Sequence, residues 1–177
     1  MENDVKKILI TEDEIIVRCK ELGAQISNDY KEAVPIVVSL LKGSVPFMAE
    51  LIKRITIDIE VDFMDVSSYA GTESTGEIKI IKDLDGSIKD RDIIVVEDIV
   101  DTGRTLKTVK ELLLQKGARE VKIVSLLDKP SRRVCDIDVD YTGFVIPDEF
   151  VIGFGLDFNQ KYRNLPFVGV LKEELYK

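Results

Sequence analysis

The chain has 177 residues, 45% of them hydrophobic and 33% charged, the proportions of an ordinary globular fold whose core needs no disulfide or metal staple. Lys and Arg number 25 against 33 Asp and Glu, a net charge of −8, which argues against a protein whose main task is coating nucleic acid. Histidine is absent, so His-based triads and His-ligated zinc are excluded, and proton transfer near neutral pH falls to carboxylates, Lys, Tyr or the substrate.

The predicted elements run as follows. Thr11 followed by Glu14 is a capping box, and Ile15, Cys19, Leu22, Ile26 and Tyr30 then share one helical face, across Gly23. PIVVSLL (35–41) is a short apolar run of the kind buried on both faces of a sheet. Ser44 is placed to cap a following helix with Phe47, Leu51 and Ile55 inward. Ile57, Ile59, Val61 and Phe63 alternate with Asp58, Glu60 and Asp62, which predicts a half-buried strand. SSYAGTESTGE (67–77) is small, polar and glycine-containing, the composition of a long mobile loop, and GEIKIIKDL after it predicts another strand. IIVVE (93–97) is a second buried strand; a helix from about Thr105 turns Leu106, Val109 and Leu113 inward and meets a C-terminal glycine at Gly117. VKIVSLL (121–127) is a third buried strand.

Strand, helix, strand, helix, strand in that order predicts an α/β fold with a central parallel sheet flanked by helices. The 57–82 strand pair and the segments 141–157 and 166–171 are expected to add a flap and a hood. No repeat or linker divides the chain. Its two cysteines, Cys19 and Cys135, lack CxxC spacing, and no segment approaches the roughly 18 apolar residues that span a bilayer, so a cytoplasmic setting and no membrane partner are expected. The nearest approach to a basic patch is Lys129, Arg132 and Arg133.

VVEDIVDTGRTL (95–106) carries the most chemistry. An apolar strand delivers Glu97 and Asp98 at its carboxyl end, and Asp101-Thr102-Gly103-Arg104-Thr105 turns into a helix. Ligands of open α/β sheets bind outside the carboxyl ends of the strands, and a glycine turn feeding a helix start presents N–H groups to phosphate. Thr102 and Thr105 add hydroxyl donors. This run resembles the motif by which type I phosphoribosyltransferases bind 5-phosphoribosyl-1-pyrophosphate (PRPP). The resemblance implies that fold for 1–177, with a core over about 35–145, a hood from the N-terminal segment and about 146–177, and a flap at about 66–78. It further implies that residues 102–105 hold the 5-phosphate and Glu97 and Asp98 the ribose hydroxyls, directly or through Mg2+, with Asp101 as general base.

From about residue 8 to 171 the chain resembles the hypoxanthine-guanine branch of that family. LKGS (41–44) matches its pyrophosphate loop, with Lys42 and Gly43 facing pyrophosphate and Ser44 standing where many members carry a second glycine. Ser68-Tyr69 matches the lid over PRPP. Lys129 matches the lysine that bonds the exocyclic oxygen of the purine. In PDEFVIGFGLDFNQKYR (147–163), Phe150 would stack on the purine, Val151 meet its edge, Asp157 lie beside base and metal, and Arg163 reach pyrophosphate. The branch implies purine salvage from hypoxanthine and guanine, in a homodimer or homotetramer. The rival readings are another base on the same PRPP framework, such as xanthine or a pyrimidine, and an RNA-binding regulator on the same fold.

Overall fold

The structure, a computed structural model, describes residues 1–68 and 77–177. Strands are β1 (Val5–Ile10), β2 (Ile36–Leu40), β3 (Glu60–Ser68), β4 (Ile78–Lys82), β5 (Asp92–Val100), β6 (Glu120–Asp128), β7 (Tyr141–Val145), β8 (Val151–Ile152) and β9 (Val168–Leu171); helices are α1 (Glu12–Asp29), α2 (Val45–Ile52) and α3 (Arg104–Gln115). Six strands form the main sheet in the order β4-β3-β2-β5-β6-β7, parallel except for the antiparallel edge strand β4. A second sheet, β1-β9-β8, joins the two ends of the chain in antiparallel pairs.

The continuous apolar runs follow from burial on both sheet faces. Val37, Ile94, Val96, Val124 and Leu126 pack with Ile15, Leu22 and Phe47 of α1 and α2, while Val38, Ile93, Val95 and Ile123 pack with Leu106, Val109 and Leu113 of α3. Both halves of the capping box at Thr11 and Glu14 are made. Gly23 lies where α1 crosses the chain after α2: a Cβ there would stand 2.5 Å from the Arg54 carbonyl oxygen. Gly117 follows the end of α3 at φ +98°, a conformation that suits glycine.

Three expectations need correction. The strand expected over 57–63 begins at Glu60 and runs on to Ser68, paired parallel with β2, so it belongs to the main sheet rather than to a flap. Its alternation does not set a buried face: Val61 is 44% exposed, and the strand reaches the core through Met64, which is fully buried, and the partly buried Val66. Segment 141–145 is likewise an edge strand of the main sheet, not of the hood. Ser44 precedes α2 but does not cap it. Its buried hydroxyl lies 2.6 Å from that of Ser39 and donates back to the Leu40 carbonyl.

Candidate active site

β5 ends in the middle of the main sheet and sets Glu97 and Asp98 at its carboxyl end. The chain then bends through Asp101 and Thr102 to Gly103, which precedes α3 at φ +83°. A side chain there would be strained by that φ and would also meet Ile137 Cγ2 at 2.5 Å and Arg133 Cδ at 3.0 Å. Glu97 and residues 99–106 line a cleft of about 150 Å³. α3 has no acidic residue in its first turn, and the first amides of a helix have no intrahelical acceptor, so this end of the cleft suits an anion. Thr102, Arg104 and Thr105 all border it.

The two carboxylates are electrostatically unusual. Burial, and then the neighbouring Asp98 charge, push Glu97 well above the ordinary carboxylate range, and burial also raises Asp98. Asp98 Oδ1 accepts a 2.7 Å bond from the Ile99 amide. Its other oxygen faces Gly43, where a Cβ would fall only 1.8 Å away. Two adjacent desolvated carboxylates that resist ionising together fit a hard divalent cation, which would relieve both desolvation and repulsion. Among the described residues no three His, Cys, Asp or Glu side chains are grouped as a metal set. Asp157 therefore does not join Glu97 and Asp98 in a preformed triad; it pairs with Arg163 at 3.1 Å and accepts from the Gln160 amide.

The turn after β2 brings Lys42 and Gly43 to the same rim; its Leu41–Lys42 peptide is cis. Lys42 is exposed and Gly43 buried. Facing them is the hood turn 153–163, where Gly153, Phe154, Gly155, Asn159, Gln160 and Tyr162 all have positive φ. Four of these six are not glycine, a concentration of backbone strain characteristic of functional loops. A Cβ on Gly155 would meet the Gly43 carbonyl oxygen at 1.8 Å, so hood and core touch here backbone to backbone. Arg163 is fixed at this junction, donating to the Gly155 carbonyl at 2.8 Å and to the Gln160 side chain at 3.2 Å.

Lys129 leaves the end of β6 and is only 6% exposed, with Nζ donating to the Glu149 carbonyl at 2.7 Å. That bond places it beside Phe150 and Val151. Val151 opens β8 and is buried, whereas Phe150 is 38% exposed. Phe150 is stacked on Tyr176 with ring centroids 4.7 Å apart and meets Phe158 edge-on at 5.6 Å. Ser68 is the exposed last residue of β3; Tyr69, expected beside it in the lid, lies outside the described residues.

The structure thus brings Glu97, Asp98, Gly43 and Arg163 to one rim, residues 101–105 to one cleft, and Lys129, Phe150 and Val151 to one neighbourhood. Sequence reasoning missed Tyr176, whose aromatic character was the available signal. It also missed Arg132, which donates from Nε to Asp101 Oδ1 at 2.9 Å. The small basic cluster is wholly engaged in ion pairs: Lys129 with Asp148, Arg132 with Asp101 and Asp148, and Arg133 with Asp128.

The phosphoribosyl transferase domain model matches residues 6–159. The chain is 56% identical over 177 residues to the hypoxanthine-guanine phosphoribosyltransferase of Streptococcus mutans, covering 99% of this chain and 98% of that one. It is also 56% identical to the enzyme of the same name from Lactococcus lactis, covering 99% and 96%. The fold superposes on a hypoxanthine phosphoribosyltransferase crystal structure from Staphylococcus aureus with a TM-score of 0.98 at 54% identity, covering 100% and 97% of the two chains.

Proposed function

The chain belongs to the phosphoribosyl transferase domain family, and on that premise we propose that it salvages purines, joining hypoxanthine or guanine to the ribose 5-phosphate of PRPP to give IMP or GMP and releasing pyrophosphate. The observation that carries this reading is the convergence of an anion-binding helix start, a desolvated carboxylate pair and a buried lysine on one end of one sheet.

Each group has work to do in the displacement of pyrophosphate from the anomeric carbon by a purine nitrogen. Residues 102–105 anchor the 5-phosphate by backbone N–H and threonine hydroxyls. Holding both substrates at fixed positions lowers the entropic barrier to their meeting. Glu97 and Asp98 hold the ribose hydroxyls and, with Asp157 beside them, would hold Mg2+. A divalent cation held there would supply positive charge to offset the negative charge of the departing pyrophosphate. Amides of Lys42 and Gly43 and the guanidinium of Arg163 bind the same leaving group, with Ser68 and Tyr69 covering it. Asp101 takes the proton of purine N7. Lys129, a donor only, selects a 6-oxo base; Phe150 stacks on the ring, and Val151 and Asp157 flank its edge. The chain forms one catalytic domain in which the hood closes on the core.

A homodimer or homotetramer is supported by exposed apolar side chains at one end of the main sheet, Val61 of β3 at 44% and Ile80 and Ile81 of the edge strand β4 at 37% and 60%. Two unpaired cysteines support a cytoplasmic location, and among the described residues no helix is long and apolar enough to cross a membrane. An RNA-binding role is disfavoured because the one basic cluster is neutralised by Asp101, Asp128 and Asp148. The test is a PRPP-dependent assay against hypoxanthine, guanine, xanthine, adenine and uracil, with and without magnesium. Product from the first two alone is expected; preference for adenine or uracil would overturn the assignment.

A further inference from the structure

A chain of alternating charges crosses from the phosphate loop to the purine side, and its central member has no role in the reaction described so far. Arg132 ends the short 3-10 turn Pro130–Arg132. Its Nε bonds Asp101 Oδ1 at 2.9 Å, and Nη1 stands 3.6 Å from Asp148 Oδ2. Asp148 in turn lies 3.5 Å from Lys129 Nζ through its other oxygen. Arg132, Asp101 and Asp148 side chains are 48%, 41% and 54% exposed, so these pairs contribute little to folding stability.

They do constrain geometry. Asp101 sits on an irregular bend between β5 and α3, where no regular backbone pairing fixes its side chain. The Arg132 guanidinium grips one carboxylate oxygen of Asp101 and is itself anchored to the segment that carries Glu149 and Phe150. We propose that Arg132 is a positioning residue for the transfer: by occupying Oδ1 it presents Oδ2 of Asp101 to the ring N–H of the purine. The inference rests on the reading of Asp101 as proton acceptor. A fork-shaped guanidinium can hold two carboxylates at once, whereas a lysine at this position would supply a single point charge.

The test is single-turnover transfer to hypoxanthine in wild type, Arg132→Gln, Arg132→Lys, Asp101→Asn and the double variant Arg132→Gln/Asp101→Asn, alongside KM for PRPP and melting temperature. Arg132→Gln should slow transfer about five- to tenfold, as expected for loss of one charge-assisted contact. Its KM for PRPP should stay within about twofold and its melting temperature should barely move. Arg132→Lys should recover part of the rate. In the Asp101→Asn background, Arg132→Gln should slow transfer no further, because a positioning residue has nothing left to position. A wild-type rate in Arg132→Gln, full additivity in the double variant, or a parallel rise in KM for PRPP overturns the inference. If instead Asp101→Asn alone turns over normally, the premise that Asp101 is the base fails, which the single variants separate cleanly.

Discussion

Gly43→Ala is a sharp probe of the junction between the pyrophosphate loop and the carboxylate pair. The added Cβ would lie 1.8 Å from Asp98 Oδ2 and 2.9 Å from its Cγ, with the Gly155 carbonyl oxygen at 3.4 Å on the other side. An ordinary carbon–oxygen contact is near 3.3 Å, so the Asp98 carboxylate must retreat by about 1.5 Å. Displacement of a substrate-positioning group by about 1 Å can cost about 10²-fold in rate. We therefore expect kcat/KM for PRPP to fall about 100-fold, with KM for hypoxanthine little changed. The fold should survive. The main structural loss is the bond from Ile99 N to Asp98 Oδ1, about 1 kcal/mol, which for a chain of this size lowers Tm by about 3 °C. The assay is steady-state kinetics at saturating hypoxanthine and magnesium. Gly86→Ala serves as the control, since a Cβ there has nothing within 4 Å. Wild-type kcat/KM for PRPP in Gly43→Ala would refute the reasoning.

Other outcomes follow from the same geometry. Transfer should cease with EDTA and return with magnesium. Because burial and Asp98 raise the Glu97 pKa, the folded state holds that proton more tightly than the unfolded one, and stability falls as pH rises from 4.5 toward the raised value. Glu97→Gln should consequently raise Tm in metal-free buffer at pH 7.5 while impairing transfer; a lower Tm by scanning calorimetry would contradict this. Lys129→Gln should raise KM for hypoxanthine and guanine about 10- to 100-fold, the worth of a charge-assisted bond, and adenine should remain a poor substrate for wild type; efficient use of adenine would count against Lys129 as selector. Arg119 forks onto Asp92 and holds that carboxyl below its ordinary value of 3.8, so the pair stabilises the fold above that pH and is lost as pH falls through the depressed value. Asp92→Asn should cost about 1 kcal/mol at pH 7, a modest figure because Arg119 is 63% exposed, and the difference should vanish in acid; a pH-independent deficit in denaturant melts would rule this out.

The central strands were legible because each is a run of apolar residues buried on both faces, and α1 because its capping box and 3.6-residue stripe agree. The alternation at 57–63 misled because Ile57 and Ile59 pack on the core ahead of the strand, while the strand itself continues past it through Asp65, Val66, Ser67 and Ser68. Strand pairing with β2 overrode local pattern there. At the site, the glycine turn at 102–105 feeding a helix start could be read from the residues as a place for an anion, whereas the roles expected of Glu97, Asp98 and Asp101 came with the family resemblance. Lys129, Phe150 and Arg163 needed the family resemblance, since singly they look like surface or core. The pairing of Asp101 with Arg132, 31 positions apart, and of Phe150 with Tyr176 leaves no periodic trace in the chain.

The three-stranded sheet that ties β1 to β9 has a bearing on how the enzyme comes into being. Val5 pairs with Leu171 and Ile10 with Val168, so β1 must wait for β9, more than 150 residues further along the chain, before it can pair. The parallel core of β2, β3, β5 and β6 can collapse earlier, since its pairings span far less of the chain. Phe150 and Val151 lean on β9, through the bond from Leu171 N to the Phe150 carbonyl and the pairing of Val151 with Val170. During synthesis the β5–α3 turn therefore takes shape first, and the segment that carries Phe150 and Val151 is completed last. On the function proposed above, a nascent chain stalled short of β9 would hold the turn at 101–105 formed and the Phe150–Val151 segment unsupported, and would bind PRPP without catalysing.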